Sequence, residues 1–209
     1  MNENEQAGVP QWVRKLGIID STTGLERAGA GSEALLEAGR TVLGAVDQYT
    51  TAHVVFSGFL AKAQGLHEGV VTAISADNPY AAFTLLRAYA ENAAAILYVN
   101  DHPTQLDKFW DDRRGPGVKI GKITNHAHTR FGGFKHIYSE LSRYAHPHAL
   151  SMLASTQSTG GNSFQWASAP AFKSTSDRLL AFAWVVELAL ATAHLLTEFP
   201  ESHGAQGAQ

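Results

Sequence analysis

The sequence predicts an all-α fold, a helical bundle of five to seven helices with a small β-hairpin inserted before the last one. Three observations carry this. Apolar residues recur at helical spacing from Leu35 to Phe199. Helix-start signals precede these runs at Ser32, Asn78-Pro79 and Ser174. Only the stretch after Pro147 changes to short extended runs. The expected organisation is a peripheral segment over residues 1–31, one bundle domain over 32–199 and a disordered tail over 200–209. The 209 residues suit a single domain with a real core.

In residues 1–31, Trp12, Val13, Leu16, Ile18 and Ile19 form a short apolar hook. Ser21-Thr-Thr-Gly24 and Gly29-Ala-Gly31 read as breaker clusters. Ser32 is the expected N-cap of the first long helix, with Leu35, Leu36, Ala38, Val42, Leu43 and Val46 giving its period. The stripe Val55, Phe59, Ala63, Leu66, Val70 and Ile74 predicts one long bent helix or two successive ones between residues 51 and 76. Asn78 and Pro79 then supply an N-cap and a first-turn proline. The helix to about residue 100 is apolar all round except for Arg87 and Glu91, so it is expected at the centre.

A short helix carries Leu106, Phe109 and Trp110, and Gly115-Pro-Gly117 ends it. Residues 118–130 are basic, a short helix or loop. After Gly132-Gly133, a helix from Phe134 to Ala145 buries Phe134, Ile137, Tyr138, Leu141 and Tyr144, with His136, Glu140 and Arg143 on the other face. Residues Ala149–Ser155 and Ser163–Ala167 flank Gln157-Ser-Thr-Gly-Gly-Asn162 as the hairpin. Ser174-Thr-Ser-Asp177 opens the last helix, which is expected to stop at Pro200.

Composition narrows the function classes. No cysteine occurs, which excludes disulfides and thiolate metal sites. The first six residues are acidic and polar, without the pattern of a secretion signal, so a cytoplasmic location is expected. The apolar runs 79–99 and 179–196 contain Arg87, Glu91 and Glu187. A charge at mid-bilayer costs about 2.5 kcal/mol or more, so both runs read as buried helices and no membrane partner is expected. The net charge of −3 conceals an asymmetry. Residues 113–148 hold seven Lys and Arg against Glu140 alone, a balance of +6, which leaves −9 on the rest of the chain. Such a block suits either an anionic partner or a solvated polar face.

Chemistry concentrates at Tyr138-Ser-Glu-Leu-Ser-Arg-Tyr-Ala-His-Pro-His148. Histidine titrates near neutrality and serves as acid or base, and arginine can hold two phosphate oxygens. Arg143, His146 and His148 are the residues of this stretch that could carry such chemistry, although His146 also suits a helix cap. Arg87, Glu91, Tyr138 and Tyr144 are the candidate supporting network, and Lys119, Lys122, Arg130 and Lys135 the candidate phosphate-binding residues. His126-Ala-His128 and His146-Pro-His148 raise the question of a metal. Only Glu140 or Glu91 is near enough to complete a set, so no metal and no cofactor is expected.

The arrangement resembles a known family. A long helical pair precedes a helix with Arg87-x3-Glu91. A helix ending Tyr-Ser-Glu-Leu-Ser-x-x-Ala-His-Pro follows, then a hairpin and a last apolar helix. Over residues 35–199 this is similar to a bacterial all-helical family, itself similar to the HEPN superfamily of helical ribonucleases and nucleotide-binding proteins. The resemblance implies RNA or nucleotide binding. It also implies a metal-independent endoribonuclease of toxin–antitoxin or phage-defence type, with Arg143 and His148 as its Arg-x4-His pair at a dimer interface. Tyr144 stands where those families favour Asn, Asp or His. A homodimer is expected. The alternative is a non-enzymatic helical regulatory or protein-interaction module with a structural Arg/Glu/His network.

Overall fold

The structure, a computed structural model, describes residues 8–44, 46, 48–110, 117–145, 156–160, 163–166 and 169–204. It is all-helical in character. The α-helices are α1 (Gln11–Lys15), α2 (Ser21–Gly44), α3 (Thr51–Ser75), α4 (Pro79–Asp101), α5 (Asp107–Trp110), α6 (Ile120–Arg130), α7 (Phe134–Ala145) and α8 (Thr175–Gly204). Eight are thus present among the described residues where five to seven were expected. The excess comes from α1 and α5, which are only five and four residues long.

Helix α4 is the axis of the bundle. Asn78 accepts a hydrogen bond from the Ala81 amide at 3.1 Å, and Pro79 takes the first turn. From Asn92 to Val99 every residue is buried, because α3, α6, α7 and α8 all pack on this helix. Helix α8 lies against α2, α3 and α4. Its Ser174 hydroxyl accepts from the Asp177 amide at 3.1 Å, closing the N-terminus. Residues Thr175–Phe199 are long and apolar enough to cross a membrane, but 67% of their most apolar window is buried inside the bundle. The helix runs on to Gly204 rather than stopping at Pro200. A proline forfeits one hydrogen bond, which the final turns tolerate here.

The N-terminal third departs from the sequence expectation. Helix α2 begins at Ser21, not near residue 33. Asp20 and Thr23 form its cap: the Thr23 amide donates to Asp20 Oδ1 at 2.8 Å, and the Asp20 amide donates to Thr23 Oγ1 at 3.0 Å. The Thr23 amide first, then the Thr23 hydroxyl, which donates to the same Oδ1 at 2.9 Å, hold the Asp20 carboxyl below its usual range. Gly24 and Gly31 do not break the helix. They let it approach α8, since a Cβ at Gly24 would lie 2.5 Å from Phe182 and one at Gly31 2.9 Å from the Ala189 methyl. Val9, Val13 and Ile18 are buried, so this segment belongs to the core.

Helix α3 is a single helix. After it, Asp77 adopts φ +56, a conformation costly for a non-glycine residue. Its carboxylate offsets this by accepting from the Phe172 amide at 3.1 Å and from Arg178, which ties the α3–α4 turn to the start of α8. Gly133, at φ +97, supplies the tight turn between α6 and α7. Thr156–Gly160 and Ser163–Trp166 form a short antiparallel ladder with Thr156 opposite Trp166. The first strand expected at Ala149–Ser155 lies outside the described residues.

One buried group makes stability depend on pH. His67 is 2% exposed, and its Nε2–H donates to the Ala28 carbonyl at 2.9 Å. Its Nδ1 is buried without a hydrogen-bond partner among the described residues. Burial therefore pushes its pKa down. The unfolded chain then takes up this proton first. The contribution of His67 is complete above the unfolded pKa of about 6.5 and is lost on acidification below it, by up to about 1.4 kcal/mol per pH unit. Urea denaturation at about pH 7.5 and about pH 5.5 should show a smaller acid loss for His67→Gln than for the wild type. Equal losses would show that His67 does not drive the effect.

Candidate functional site

Helix α7 lies across the first half and middle of α4 and α6 across its C-terminal half, and the polar side chains gather along these contacts. On the α7 side, Arg87, Glu91 and Tyr138 form a closed knot. The Tyr138 hydroxyl donates to Glu91 Oε1 at 2.7 Å and accepts from Arg87 Nη2 at 3.1 Å. Arg87 Nε lies 3.2 Å from the same carboxylate oxygen, and the guanidinium sits 5.3 Å over the Tyr138 ring. Arg87 and Glu91 occupy one face of α4 because they are four residues apart. Both side chains keep roughly a quarter of their surface exposed, at 22% and 27%. Burial, then the bond to Glu91, holds the Tyr138 hydroxyl above its ordinary pKa, so it stays a donor.

Outside this knot, α6 and α7 enclose a cleft of about 330 Å³ lined by Thr124, Asn125, His128, Phe134, Lys135, Tyr138, Ser139 and Ser142. Among the described residues, no carboxylate lines it. The Phe134 and Tyr138 rings stand nearly parallel, with centroids 5.8 Å apart. On the far side of Glu91, a second and more apolar cleft of about 520 Å³ opens between α3, α5 and α6, with Phe59, Phe109 and Trp110 in its walls.

At the C-terminal end of α4 lies a second polar cluster. His126 Nε2–H donates to Asp101 Oδ2 at 2.8 Å, and Arg130 Nε lies 3.3 Å from the same oxygen. His102 Nδ1–H donates to the Tyr98 carbonyl at 2.9 Å. The His102 ring stacks on Tyr98 at 4.4 Å, His126 stands edge-on to His102 at 4.8 Å, and the Lys122 ammonium lies 5.5 Å over the Tyr98 ring.

The residues singled out from sequence therefore divide. Arg87, Glu91 and Tyr138 come together. Tyr144 does not join them: it stacks on Phe83 at 4.0 Å, in an aromatic group with Phe172 and Trp184, because its side of α7 faces the core at the start of α4. Burial, then the Asp177 charge, pushes its pKa up. Arg143 lies on the outer face and pairs with Glu140 at 3.0 Å, one helical turn away. His146 and His148 lie outside the described residues. Lys119 and Lys135 are exposed, while Lys122 and Arg130 belong to the cluster around Tyr98 and Asp101. Ile137, expected inside, is 37% exposed, because only Leu141 of α7 reaches the core completely.

Tyr98, Asp101 and His102 were missed. The available signal was Lys122-x3-His126-x3-Arg130, which sets three basic side chains on one side of a helix. The HxH reading of His126 and His128 fails for the same reason. Residues two apart on a helix point about 200° apart, so His126 turns to α4 while His128 lines the α6–α7 cleft. Among the described residues, no three His, Asp or Glu converge as a metal site would require.

Fold and site thus define a helical bundle with a basic helical pair laid over a polar seam of its central helix. No protein-family model, curated protein or solved structure matches the chain.

Proposed function

We propose that this protein binds RNA along the exposed face of α6 and α7. The observation that supports the reading best is the cleft between these helices, which has Lys135 in its wall and, among the described residues, no carboxylate. Lys135 is exposed there, and Lys119, Lys122, Arg130 and Arg143 are exposed elsewhere along or beside the same two helices. Arg130 and Arg143 have carboxylate partners, but exposed ion pairs contribute little, so phosphates can compete for both. Phe134 and Tyr138 offer ring faces for bases, and Asn125, Ser139 and Ser142 offer hydrogen bonds to base edges.

The resemblance to HEPN proteins extends this to metal-independent RNA cleavage, with Arg143 and His148 as its expected pair. Binding is tested by anisotropy of a labelled single-stranded RNA over a range of salt. Affinity should fall steeply with salt, and Lys135→Ala should lower the slope of log K against log salt by about 0.7, as expected for one lost phosphate contact. Binding that ignores both salt and Lys135 would sink the reading. A second reading, a non-enzymatic interaction module, is favoured by one observation: Arg87, Tyr138 and Glu91 bond to one another, as a purely structural network would.

A further inference from the structure

We propose that the end of α4 and the facing side of α6 form an RNA-cleaving centre in which His102 and His126 exchange protons with the substrate and Lys122 and Arg130 hold the phosphate. The proposal rests on the RNA-binding reading and assigns its chemistry to residues other than Arg143 and His148.

Cleavage of RNA by its own 2′-hydroxyl needs a base, an acid and a positive charge at the phosphate. Here the three requirements meet in one cluster. The imidazole rings of His102 and His126 are 4.8 Å apart at 74°. Each ring is held in a defined tautomer by its other nitrogen. His102 Nδ1–H is bonded to the Tyr98 carbonyl, which leaves the lone pair on Nε2. His126 Nε2–H is bonded to Asp101, which leaves Nδ1 as its proton-exchanging nitrogen. His126, with a carboxylate behind it, takes the acid's part, and His102, with a carbonyl behind it, takes the base's. Lys122, His126 and Arg130 follow one another at four-residue spacing along α6, which puts both cations beside the rings. The Arg130 side chain is 58% exposed and His126 21%, so the cluster opens to solvent at the cationic side.

The step balances without a metal or a co-reactant. His102 Nε2 takes the proton of a 2′-hydroxyl, and the freed oxygen bonds to phosphorus. The P–O5′ bond breaks, its electron pair leaves on O5′, and that oxygen takes the Nδ1 proton of His126, which enters the step as an imidazolium and leaves it neutral with Nε2–H still on Asp101. The products are a 2′,3′-cyclic phosphate and a 5′-hydroxyl. Asp101 touches no substrate and acts as a positioning residue.

The same side chains could serve only to cap the C-terminus of α4, where cations are favourable. That role would cost melting temperature and move no chemical rate. The experiment incubates the full chain, in EDTA, with a labelled single-stranded RNA and with DNA of the same sequence. Anisotropy and melting temperature are measured in parallel on each variant. RNA but not DNA should be cut, leaving the cyclic phosphate. His102→Gln and His126→Gln should each slow cleavage by about 100-fold or more while RNA affinity holds. Asp101→Asn should lower the rate at saturating protein without weakening RNA affinity, since it also releases Arg130. His102→Asn and His126→Asn replace any glutamine variant that does not fold. The inference is overturned if RNA binds but the wild type does not cut, or if the histidine variants cut at the wild-type rate. It is equally overturned if only Arg143→Ala and His148→Ala abolish cleavage. If RNA does not bind at all, the binding reading falls and takes the inference with it.

Discussion

Gly24→Leu is expected to destabilise the protein by at least about 3 kcal/mol, the upper part of the range for overpacking a core. A Cβ at this position would meet Phe182 Cδ2 at 2.5 Å, and the γ and δ carbons would need still more room. Phe182 cannot yield, because it is 1% exposed and enclosed by the core. The gain in helix propensity over glycine, about 1 kcal/mol, does not offset this. Gly29→Ala in the same helix should have the opposite sign. Nothing lies within 4 Å of its Cβ position, and the residue is exposed. Only the propensity term remains there, so a gain of about 0.5–1 kcal/mol is expected. Urea denaturation of the two variants beside wild type checks the pair. A Gly24→Leu protein as stable as wild type would show that α2 does not pack on α8 at this distance.

The two glycines also mark where sequence reasoning stops. Read locally, Ser21-Thr-Thr-Gly24 and Gly29-Ala-Gly31 signal interruption, since glycine weakens a helix interior. What makes the helix continuous is tertiary: Phe182 and Ala189 of α8 occupy the space that side chains at Gly24 and Gly31 would need. That partner lies more than 150 residues away in the chain, and no local pattern points to it. Where the cause was local, the elements were legible. The Asn78-Pro79 start of α4, the Ser174 start of α8 and the start of α7 after Gly133 rest on caps and turns written in a few adjacent residues.

The site divides in the same way. That Arg87 and Glu91 share a face follows from their spacing. That a tyrosine hydroxyl stands between them depends on how α7 crosses α4. His126 was noticed for its neighbour His128, but its partner in space is Asp101, at the end of another helix. The charge asymmetry fell on α6 and α7 without saying which of their cations meet carboxylates.

Tyr138→Phe and Glu91→Gln should separate the two readings of the polar knot. The Tyr138 hydroxyl is its centre, giving one bond to the carboxylate and taking one from the guanidinium. A hydrogen bond to a charged group contributes about 1.5–3 kcal/mol when well shielded. Roughly a quarter of each charged side chain is exposed, which places the loss for Tyr138→Phe nearer about 1.5 kcal/mol. In Glu91→Gln the hydroxyl keeps an acceptor but loses the charge, so its cost should be smaller. The double variant should fall short of the sum, because both changes delete the same bond. Denaturant unfolding measures the cycle, and additive losses would show that the groups do not interact. RNA affinity, measured on the same proteins, decides the rest. Tyr138 also lines the α6–α7 cleft, but phenylalanine keeps the ring that a base would stack on. A stability loss with unchanged affinity assigns the hydroxyl to the frame and leaves binding to the cations outside it. A loss of affinity beyond the loss of stability means that the knot sets the shape of the cleft, and α4 then belongs to the binding site itself.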